Sequence, residues 1–510
     1  QDELLQLVEC YKRTDDYDAA ESVIKECLKN DGDVIDLRTL LHNVILGEIL
    51  ILKGKESEGE RLISKCLTES KELRLGVTPD YVSFRTRAFV SLAQLALSRG
   101  EWEKAEGYYE EEESDHNPGS LGKVEIQSIR SDLYAKNGKI DKAIAIRKEI
   151  IQHLPENLRF EQFVGLRVPL ATLYLEKGRI DLGLSEYVDI VQKSELQKLS
   201  GIETAVASQF MCTNLIAPLH ELYLRKDEMD EFKKLCKDMI AKTPPHSFRR
   251  TVWMAAYAKS QSACGDYASA LSSYNDAVAE LPGSREQDDK IRIPIEIAMS
   301  EVYLHLNKIA EAKGQIQKVL SLLSKYPSWH LLYADAKFAE FTNARVEGQE
   351  SVALSALAAS ENAWFEQNPE GDYQRAYYDY ERGILFTRLK KHAEAAKYFQ
   401  AAAKRADKVK TDCGSVILQY ACLAGENFLF DNKYKDARVC LTFVSTRIDK
   451  AIRSPIIALC GFSNLEKTAF HEFLELFAKT AQNENDQPAL IECRSLIKKI
   501  DEHSDAFRKK

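Results

Sequence analysis

The sequence predicts an all-α protein organised as an α-solenoid, a linear stack of helical hairpins. Three observations support this prediction: one short pattern recurs along most of the chain, apolar residues follow the i, i+3, i+4 spacing of helices, and strand-like alternation is nearly absent. Glycine and proline, 23 and 13 of 510 residues, are few, as expected when most residues lie in helices. Because each hairpin packs only on its neighbours, this length requires no single large core.

The recurring pattern is a turn-forming residue, an aromatic or aliphatic residue two positions later, and a small residue three positions after that. Gly265, Tyr267 and Ala270 are one example. The stretch before Gly265 predicts one helix, and the stretch after it predicts a second helix that Pro282 ends. Small side chains at Ala258 and Ala270 are expected to let the two helix backbones approach closely.

This unit closely resembles a tetratricopeptide repeat. The resemblance rests on six residues at that family's spacing, namely Gly265, Tyr267, Ala270, Tyr274, Ala277 and Pro282. Equivalent turns lie 38 to 49 residues apart up to Asn307 and about 42 apart through Lys390 and Asn432, and one unit near Gly348 is poorly formed in the sequence pattern. The family's basic repeat has about 34 residues, so these units are predicted to have longer helices or loops. The resemblance covers roughly residues 1–444 and implies a right-handed superhelix of about eleven hairpins.

The sequence predicts one uninterrupted repeat array over residues 1–454, followed by C-terminal capping helices over residues 455–510. No Gly/Ser-rich or Pro-rich linker divides the array. Leu490, Cys493, Leu496 and Ile500 predict a final amphipathic helix, which would cover the last hydrophobic face. The chain begins with Gln1 rather than Met, so we expect a trimmed chain or a segment of something longer.

Charge and targeting signals favour a soluble intracellular protein, cytoplasmic or nuclear. The formal net charge of −9 argues against a general nucleic-acid binder but leaves a local basic groove open. No signal peptide and no apolar run of about 18 residues is present. The eleven cysteines form no C-x-x-C pair, and no N-x-S/T acceptor occurs.

No catalytic motif of the phosphate-binding, dinucleotide-binding, zinc-protease or serine-hydrolase type occurs. The nearest metal-like fragments begin at His220 and His471, and both lack a second histidine four residues later. Each histidine is more readily interpreted as a core or helix-surface residue. The sequence therefore predicts a protein that is not an enzyme and uses neither a cofactor nor a metal.

The family resemblance implies that the first helix of each hairpin lines a concave groove that binds a partner. Counting back from the turns gives outward positions on these helices, and the predicted partner-binding residues are Arg87, Gln94, Lys136, Arg225, Glu301, His305, Tyr377, Tyr380 and Arg388. The groove is therefore mixed in sign. The family is also known to capture a C-terminal carboxylate, but that use is not favoured here. It would need an asparagine at the position of the next unit that is equivalent to Lys259, and that position is Glu301.

Two clusters carry alternative interpretations. Tyrosines and arginines between Tyr373 and Arg388 form either a binding surface or packing between hairpins. Lysines and arginines between Lys390 and Lys410 form either a phosphate-binding patch or, as we favour, a solvated helix face. The leading hypothesis is a scaffold subunit of a multiprotein assembly that binds an extended or helical protein segment. The alternatives are an RNA-binding helical-repeat protein and a sensor or regulatory region of a larger protein.

Overall fold

The protein is described by a computed structural model. The residues described are 2–13, 16–31, 35–72, 79–114, 120–154, 160–196, 211–281, 286–368, 371–408, 414–452 and 464–508. These residues form helices and connecting turns and no β-strand. The chain divides into two compact units, Gln1–Leu158 and Arg159–Lys510.

The first unit contains four helical hairpins, in which each odd-numbered helix packs against the helix that follows it. The helices are α1 (Asp2–Arg13), α2 (Tyr17–Asp31), α3 (Leu37–Leu52), α4 (Glu56–Glu72), α5 (Pro79–Ser98), α6 (Trp102–Ser114), α7 (Leu121–Lys136) and α8 (Ile140–Gln152). Asp36 accepts a hydrogen bond from the Thr39 amide and so caps the start of α3.

The second unit continues with further hairpins, one of which begins with a π-helical turn over Cys212–Ile216. Its helices are α9 (Phe160–Glu176), α10 (Ile180–Leu196), α11 (Ala217–Arg225), α12 (Met229–Lys242), α13 (Phe248–Ala263), α14 (Tyr267–Ala279), α15 (Glu286–His305), α16 (Ile309–Leu323), α17 (His330–Glu347), α18 (Glu350–Gln367), α19 (Asp372–Arg388), α20 (His392–Lys408), α21 (Gly414–Phe430), α22 (Tyr434–Ile452), α23 (Asn464–Asn483) and α24 (Gln487–Arg508). The predicted all-α array of helical hairpins is confirmed.

The hairpin turns share one backbone device, a residue in the left-handed conformation just after the first helix. At Gly265, φ is +80°, and the amide of the next residue, Asp266, donates to the Gln261 carbonyl at 3.0 Å. Glycine and asparagine reach this conformation at low cost, which explains why they occupy most of these turns. The left-handed turn residues are Gly54, Gly100, Gly138, Gly178, Asp227, Gly265, Asn307, Gly348, Lys390, Asn432 and Asn485.

Small residues bring the two helices of a hairpin together, as the sequence predicts for Ala258 and Ala270, both 0 % exposed. In the hairpin of α3 and α4 the approach is tighter still. A Cβ atom added to Gly59 would lie 2.4 Å from the Gly47 carbonyl oxygen, so no side chain fits there unless the α3 backbone moves.

The hairpin around Gly348 is well packed although it matches the sequence pattern poorly. The sequence pattern there is poorly formed, yet α17 and α18 pack along their length, as closely as any pair in the chain. Phe341 fills the position where other first helices carry a small residue, and Ala353 and Ala356 on α18 are small instead. Ala353 lies five residues after the turn, as Ala270 does in its own hairpin, so only the small residue of the first helix is replaced here.

The predicted C-terminal pair of helices is present as α23 and α24, and its turn at Asn485 has the same left-handed geometry as the repeats. Phe473 of α23 packs on Gly425 of α21, where an added Cβ would lie 2.3 Å from the ring. Phe473 and Leu490 belong to a hydrophobic core that also includes residues of α20 to α22. The boundary at residue 454 stays a prediction.

In part of each unit, the first helices of successive hairpins contact one another more extensively than the second helices do. This holds for α3 with α5 in the first unit and for α13, α15 and α17 in the second. Closer approach on one side places the first helices on the inner side of each local stack. None of the described helices combines the length and apolar composition needed to cross a lipid bilayer.

Candidate partner-binding face

Four aromatic rings connect the first helices α17, α19 and α21 of the second unit. The ring of Phe338 lies 5.6 Å from that of Tyr377, Tyr377 lies 6.2 Å from Tyr380, and Tyr380 lies 4.9 Å from Tyr420, measured between centroids. We call these four residues the aromatic ladder. The backbones of α17 and α19 approach each other less closely than those of α15 and α17, and the rings fill the wider gap.

The repeat register explains why these rings share a face. Phe338 and Tyr380 each precede the left-handed residue of their own hairpin turn by ten positions. Tyr377 precedes its turn by thirteen positions, as does Asp335 in the neighbouring hairpin. Residues three apart on a helix lie on the same side, so Asp335 and Phe338 on α17 occupy positions equivalent to those of Tyr377 and Tyr380 on α19.

The tyrosines of the predicted cluster differ in exposure. Tyr373 is 42 % exposed, Tyr377 and Tyr380 are half-buried, and Tyr378 is buried with its hydroxyl 2.8 Å from that of Ser360. Tyr378 therefore serves packing, whereas the other three contribute to an accessible surface. Burial raises the pKa of Tyr377 and of Tyr380, so both hydroxyls are neutral hydrogen-bonding groups at physiological pH.

An ion pair crosses the centre of this surface. The Arg345 guanidinium on α17 donates to the Glu381 carboxylate on α19 at 2.5 Å, and both side chains are largely buried. Burial raises the pKa of Glu381, while the positive charges of Arg345 and the exposed Arg388 act against that increase. The centre of the face thus carries two guanidinium groups and one carboxylate.

Three carboxylates of the second unit have no ion-pair partner among the described residues: Asp335 on α17, Glu426 on α21 and Glu472 on α23. Asp335 is exposed as a residue, but surrounding protein displaces water from its carboxyl and raises its pKa to about 6. Burial, together with the nearby charge of Glu472, raises the pKa of Glu426, while the charge of His392 acts against that increase. Desolvated carboxylates without a partner are typical of functional sites.

Arg87 occupies a different kind of site, in the first unit. It donates to Glu48 at 2.7 and 2.8 Å and to Glu9 at 2.6 Å, and Lys12 also contacts Glu48 at 2.9 Å. Burial opposes ionisation of Glu48, but these two cations outweigh it and lower its pKa. The four charges connect α1, α3 and α5, so Arg87 already has an intramolecular role, and partner binding by it stays a prediction.

The other predicted residues do not converge on one site. Gln94 on α5 is exposed, and the side chain of Lys136 lies outside the described residues. Arg225 on α11 donates to Glu221 at 2.5 Å. On α15, Glu301 is exposed, and so is His305, whose ring stacks on Tyr267 at 4.5 Å. Of the nine predicted residues, the aromatic surface contains the three on α19: Tyr377, Tyr380 and Arg388.

The structure adds Phe338, Asp335 and Tyr420 to the predicted set. The sequence pattern does not mark Phe338 and Asp335, because it is poorly formed in their hairpin, around Gly348. Counting ten and thirteen residues back from Gly348 would have found both. Nothing in the sequence marks Tyr420, because its contact with Tyr380 depends on how α19 and α21 pack.

The basic cluster and the histidines have structural roles. Lys391 pairs with Glu350 at 2.6 Å and Arg405 with Asp379 at 2.8 Å, which supports a solvated, ion-paired helix face, while Lys410 lies outside the described residues. His220 is buried, and its ring meets the Phe232 ring edge-on at 5.5 Å. Among the described residues, no group of three or more histidine, cysteine or acidic side chains is arranged to hold a metal ion.

Comparison with known families identifies the repeat. Residues 88–118 match the family model for the tetratricopeptide repeat. This segment includes most of the hairpin of α5 and α6, with its turn at Gly100 and buried Ala93 and Ala105 at the crossing of the helices. The hairpin of α5 and α6 is therefore similar to a tetratricopeptide repeat. Other described hairpins share its left-handed turn, as at Gly54, Gly138 and Gly265, and no curated protein sequence matches the chain.

Several solved structures are similar to this chain. A chain of the APC/C hetero-tetramer Cut9-Hcn1 is 13 % identical with a TM-score of 0.33, over 98 % of this chain and 96 % of that one. A Rap protein complexed with competence and sporulation factor is 12 % identical with a TM-score of 0.37, over 82 % and 100 %. A tetratricopeptide repeat protein from Parabacteroides merdae is 12 % identical with a TM-score of 0.32, over 56 % and 94 %. These values carry no argument about function.

Proposed function

We propose that the protein is a non-enzymatic interaction scaffold and a subunit of a larger multiprotein assembly. It binds a segment of a partner protein on the inner face of the second unit, across α17, α19 and α21. The segment is extended or helical and lies along the aromatic ladder. Binding proceeds by mass action on a preformed surface, so the partner segment, rather than the scaffold, loses conformational freedom.

One observation carries this proposal. Phe338, Tyr377 and Tyr380 form a continuous series of half-buried rings on an inner helix face, and the exposed Tyr373 extends it by one helical turn. Tyrosine supplies large contact area at low conformational cost and is enriched among residues that dominate binding energy. A partner that covers these rings removes apolar surface from water while leaving the hydroxyls able to form hydrogen bonds.

The test begins with identification of the partner by affinity purification and crosslinking mass spectrometry on the full chain. The affinity of the crosslinked segment is then measured by calorimetry for the wild type, Tyr377→Ala and Tyr380→Ala. We expect each variant to weaken binding about tenfold or more, equivalent to about 1.4 kcal/mol.

Tyr398→Ala is the matched control. Tyr398 is also half-buried, but it lies on the second helix α20 and stacks on Phe386 at 5.4 Å, away from the ladder. Its replacement should leave the affinity unchanged within about twofold. Equal losses for Tyr380→Ala and Tyr398→Ala, or no loss for either ladder variant, would contradict the proposed binding face.

A further inference from the structure

We propose that a cavity bordered by α5, α6 and α7 binds a small neutral molecule that has an apolar body and a hydrogen-bond-accepting oxygen atom. All of the residues that line this cavity belong to the first unit, whereas the aromatic ladder belongs to the second. The inference therefore goes beyond the proposed function and does not depend on it.

The walls of the cavity are largely apolar. Leu97 lies near the end of α5, Trp102 and Ala105 lie on α6, and Leu133 lies on α7. The cavity contains about 260 Å³ of space, part of it open to solvent, which is less than the roughly 300–1,000 Å³ of sites for drug-sized ligands. It therefore suits a molecule of only a few non-hydrogen atoms.

Two polar groups among the lining residues have no hydrogen-bond partner in the described part of the chain. One is the hydroxyl of Tyr109, a residue that is 3 % exposed, and the other is the buried Nε of Arg130. Burial raises the pKa of Tyr109, so its hydroxyl keeps its proton at physiological pH. A buried donor without a partner costs stability, and a ligand oxygen that accepts from it removes that cost.

The repeat register shows that this position can be satisfied within a hairpin. Tyr109 lies nine residues after Gly100, and Arg147 lies nine residues after Gly138 in the next hairpin. The Arg147 guanidinium donates to two serines and an aspartate of α7. The hairpin of α5 and α6 provides no such partner for Tyr109, although the side chain is equally buried.

The remaining polar groups of the lining are already paired. The Tyr134 hydroxyl donates to the Glu106 carboxylate, which also lies 3.4 Å from Arg130 and 3.5 Å from the Lys142 ammonium. The cavity therefore offers two unpaired donors, the Tyr109 hydroxyl and the Arg130 Nε, and its carboxylate is occupied. This arrangement favours a ligand that brings an acceptor oxygen.

The charges around the cavity favour a neutral ligand. The Lys139 ammonium lies 4.4 Å from the centroid of the Trp102 ring, and Glu113 pairs with Arg130 at 2.9 Å. Because the charges of the two signs are equal in number, a carboxylate or an ammonium group loses hydration there without a net attraction. Three cations and three anions line the cavity or contact its lining residues: Arg130, Lys139, Lys142, Glu106, Glu110 and Glu113.

Fluorine NMR of the full chain labelled with 5-fluorotryptophan tests the inference. The chain has four tryptophans, and the variant Trp102→Phe identifies the resonance of Trp102. The probes are cyclopentanone and two charged molecules of similar size, cyclopentanecarboxylate and cyclopentylammonium. We expect cyclopentanone to shift the Trp102 resonance with saturation at about millimolar concentration, as is usual for so small a ligand, and to leave the other three resonances unchanged. The charged probes should bind at least about fivefold more weakly.

The variant Tyr109→Phe removes only the hydroxyl and should weaken cyclopentanone binding about fivefold. Tyr274→Phe is the matched control, because Tyr274 also lies nine residues after its turn and is also 3 % exposed, but belongs to the second unit. It should leave the affinity unchanged within about twofold. Tyr109→Phe should not lower the melting temperature, since the hydroxyl has no partner to lose among the described residues, so weaker binding would not reflect unfolding.

A saturable shift of the Trp102 resonance that weakens selectively in Tyr109→Phe supports the inference. No saturable shift, as expected if the cavity admits water alone, would overturn it. Equal affinities of the wild type and Tyr109→Phe, or equal binding of the neutral and charged probes, would overturn it as well. None of these results bears on the aromatic ladder, which is tested separately by the affinity of Tyr380→Ala.

Discussion

Charged residues on the inner faces of the two units have opposite effects on stability. In the first unit, the largely buried Glu48 forms ion pairs with Arg87 and Lys12. Its pKa is lowered, which means that folding stabilises the ionised carboxylate. In the second unit, Asp335 is desolvated and has no ion-pair partner among the described residues. Its raised pKa means that folding disfavours the ionised carboxylate. A group that costs stability where it faces a binding surface is typical of function.

The first prediction concerns Asp335 and pH. Its folded pKa of about 6 exceeds the usual value of about 3.9, so folding is favoured by its protonation below about pH 4 and loses that contribution as pH rises through about 6. Asp335→Asn should therefore raise the melting temperature relative to the wild type at pH 7 but not at pH 4. A difference that is equal at both values, in thermal unfolding followed by circular dichroism, would show that the carboxyl is not desolvated.

The second prediction concerns Glu48. Glu48→Ala leaves Lys12 and Arg87 without their shared carboxylate, although Arg87 keeps Glu9. We expect a loss of about 2–3 kcal/mol in the stability of the first unit, measured by urea unfolding, since breaking a buried pair strands its partners. Glu58→Ala, at an exposed position on α4, should change stability by less than about 0.5 kcal/mol. A similar small change for Glu48→Ala would mean that the network contributes little.

At the scale of elements, the hairpin is the unit that the sequence specifies best. Gly265 turns the chain, and the small residues Ala258 and Ala270 set the crossing distance. The hairpin at Gly348 shows that the crossing requires a total volume rather than a small residue at one fixed position, because Phe341 is accommodated by Ala353 and Ala356.

The third prediction tests that crossing. Ala270→Trp places a large ring at a fully buried position of α14, and overpacking should cost about 3 kcal/mol, measured by denaturant unfolding. Ala268→Trp, two residues earlier on the same helix, lies at an exposed position and should cost less than about 1 kcal/mol. Equal losses for both variants would show that Ala270 does not lie at the close crossing.

Most of the fold could be predicted from the sequence because its turns have a direct chemical signature. Glycine and asparagine at the left-handed positions, followed by an aromatic and a small residue, give the hairpin without knowledge of its neighbours. Lys390 adopts the same backbone although lysine does not favour it, so its turn was identified only by spacing.

The binding face could be predicted only in part. Tyr377 and Tyr380 were found because four tyrosines cluster within one helix. Arg87 looked equally accessible in sequence, but its partners Glu48 and Glu9 lie 39 and 78 residues away. Ion pairing between distant helices depends on how the helices pack. The sequence therefore could not show which charged side chains form ion pairs and which, like Asp335, have no ion-pair partner among the described residues.

At the scale of the whole molecule, repeated hairpins provide many inner-face positions, and their side chains decide which part binds. The first unit uses its inner face for the ion-pair network around Glu48, which holds three first helices together. The second unit instead carries aromatic rings on α17, α19 and α21; Phe338, Tyr377 and Tyr380 are half-buried, and Tyr420 is buried. The same fold therefore carries an ion-paired face in one unit and, in the other, the aromatic surface that we propose as the binding face.

Hydroxyl-radical footprinting of the full chain, with and without the crosslinked partner segment, tests this account most directly. Oxidation of each aromatic side chain is measured by mass spectrometry. The account predicts that the segment protects Tyr373, Tyr377 and Tyr380 at least about threefold and leaves Tyr398 on α20 unchanged. Protection of Tyr398 with unchanged oxidation of Tyr377 and Tyr380 would place the partner on the second helices and contradict the account.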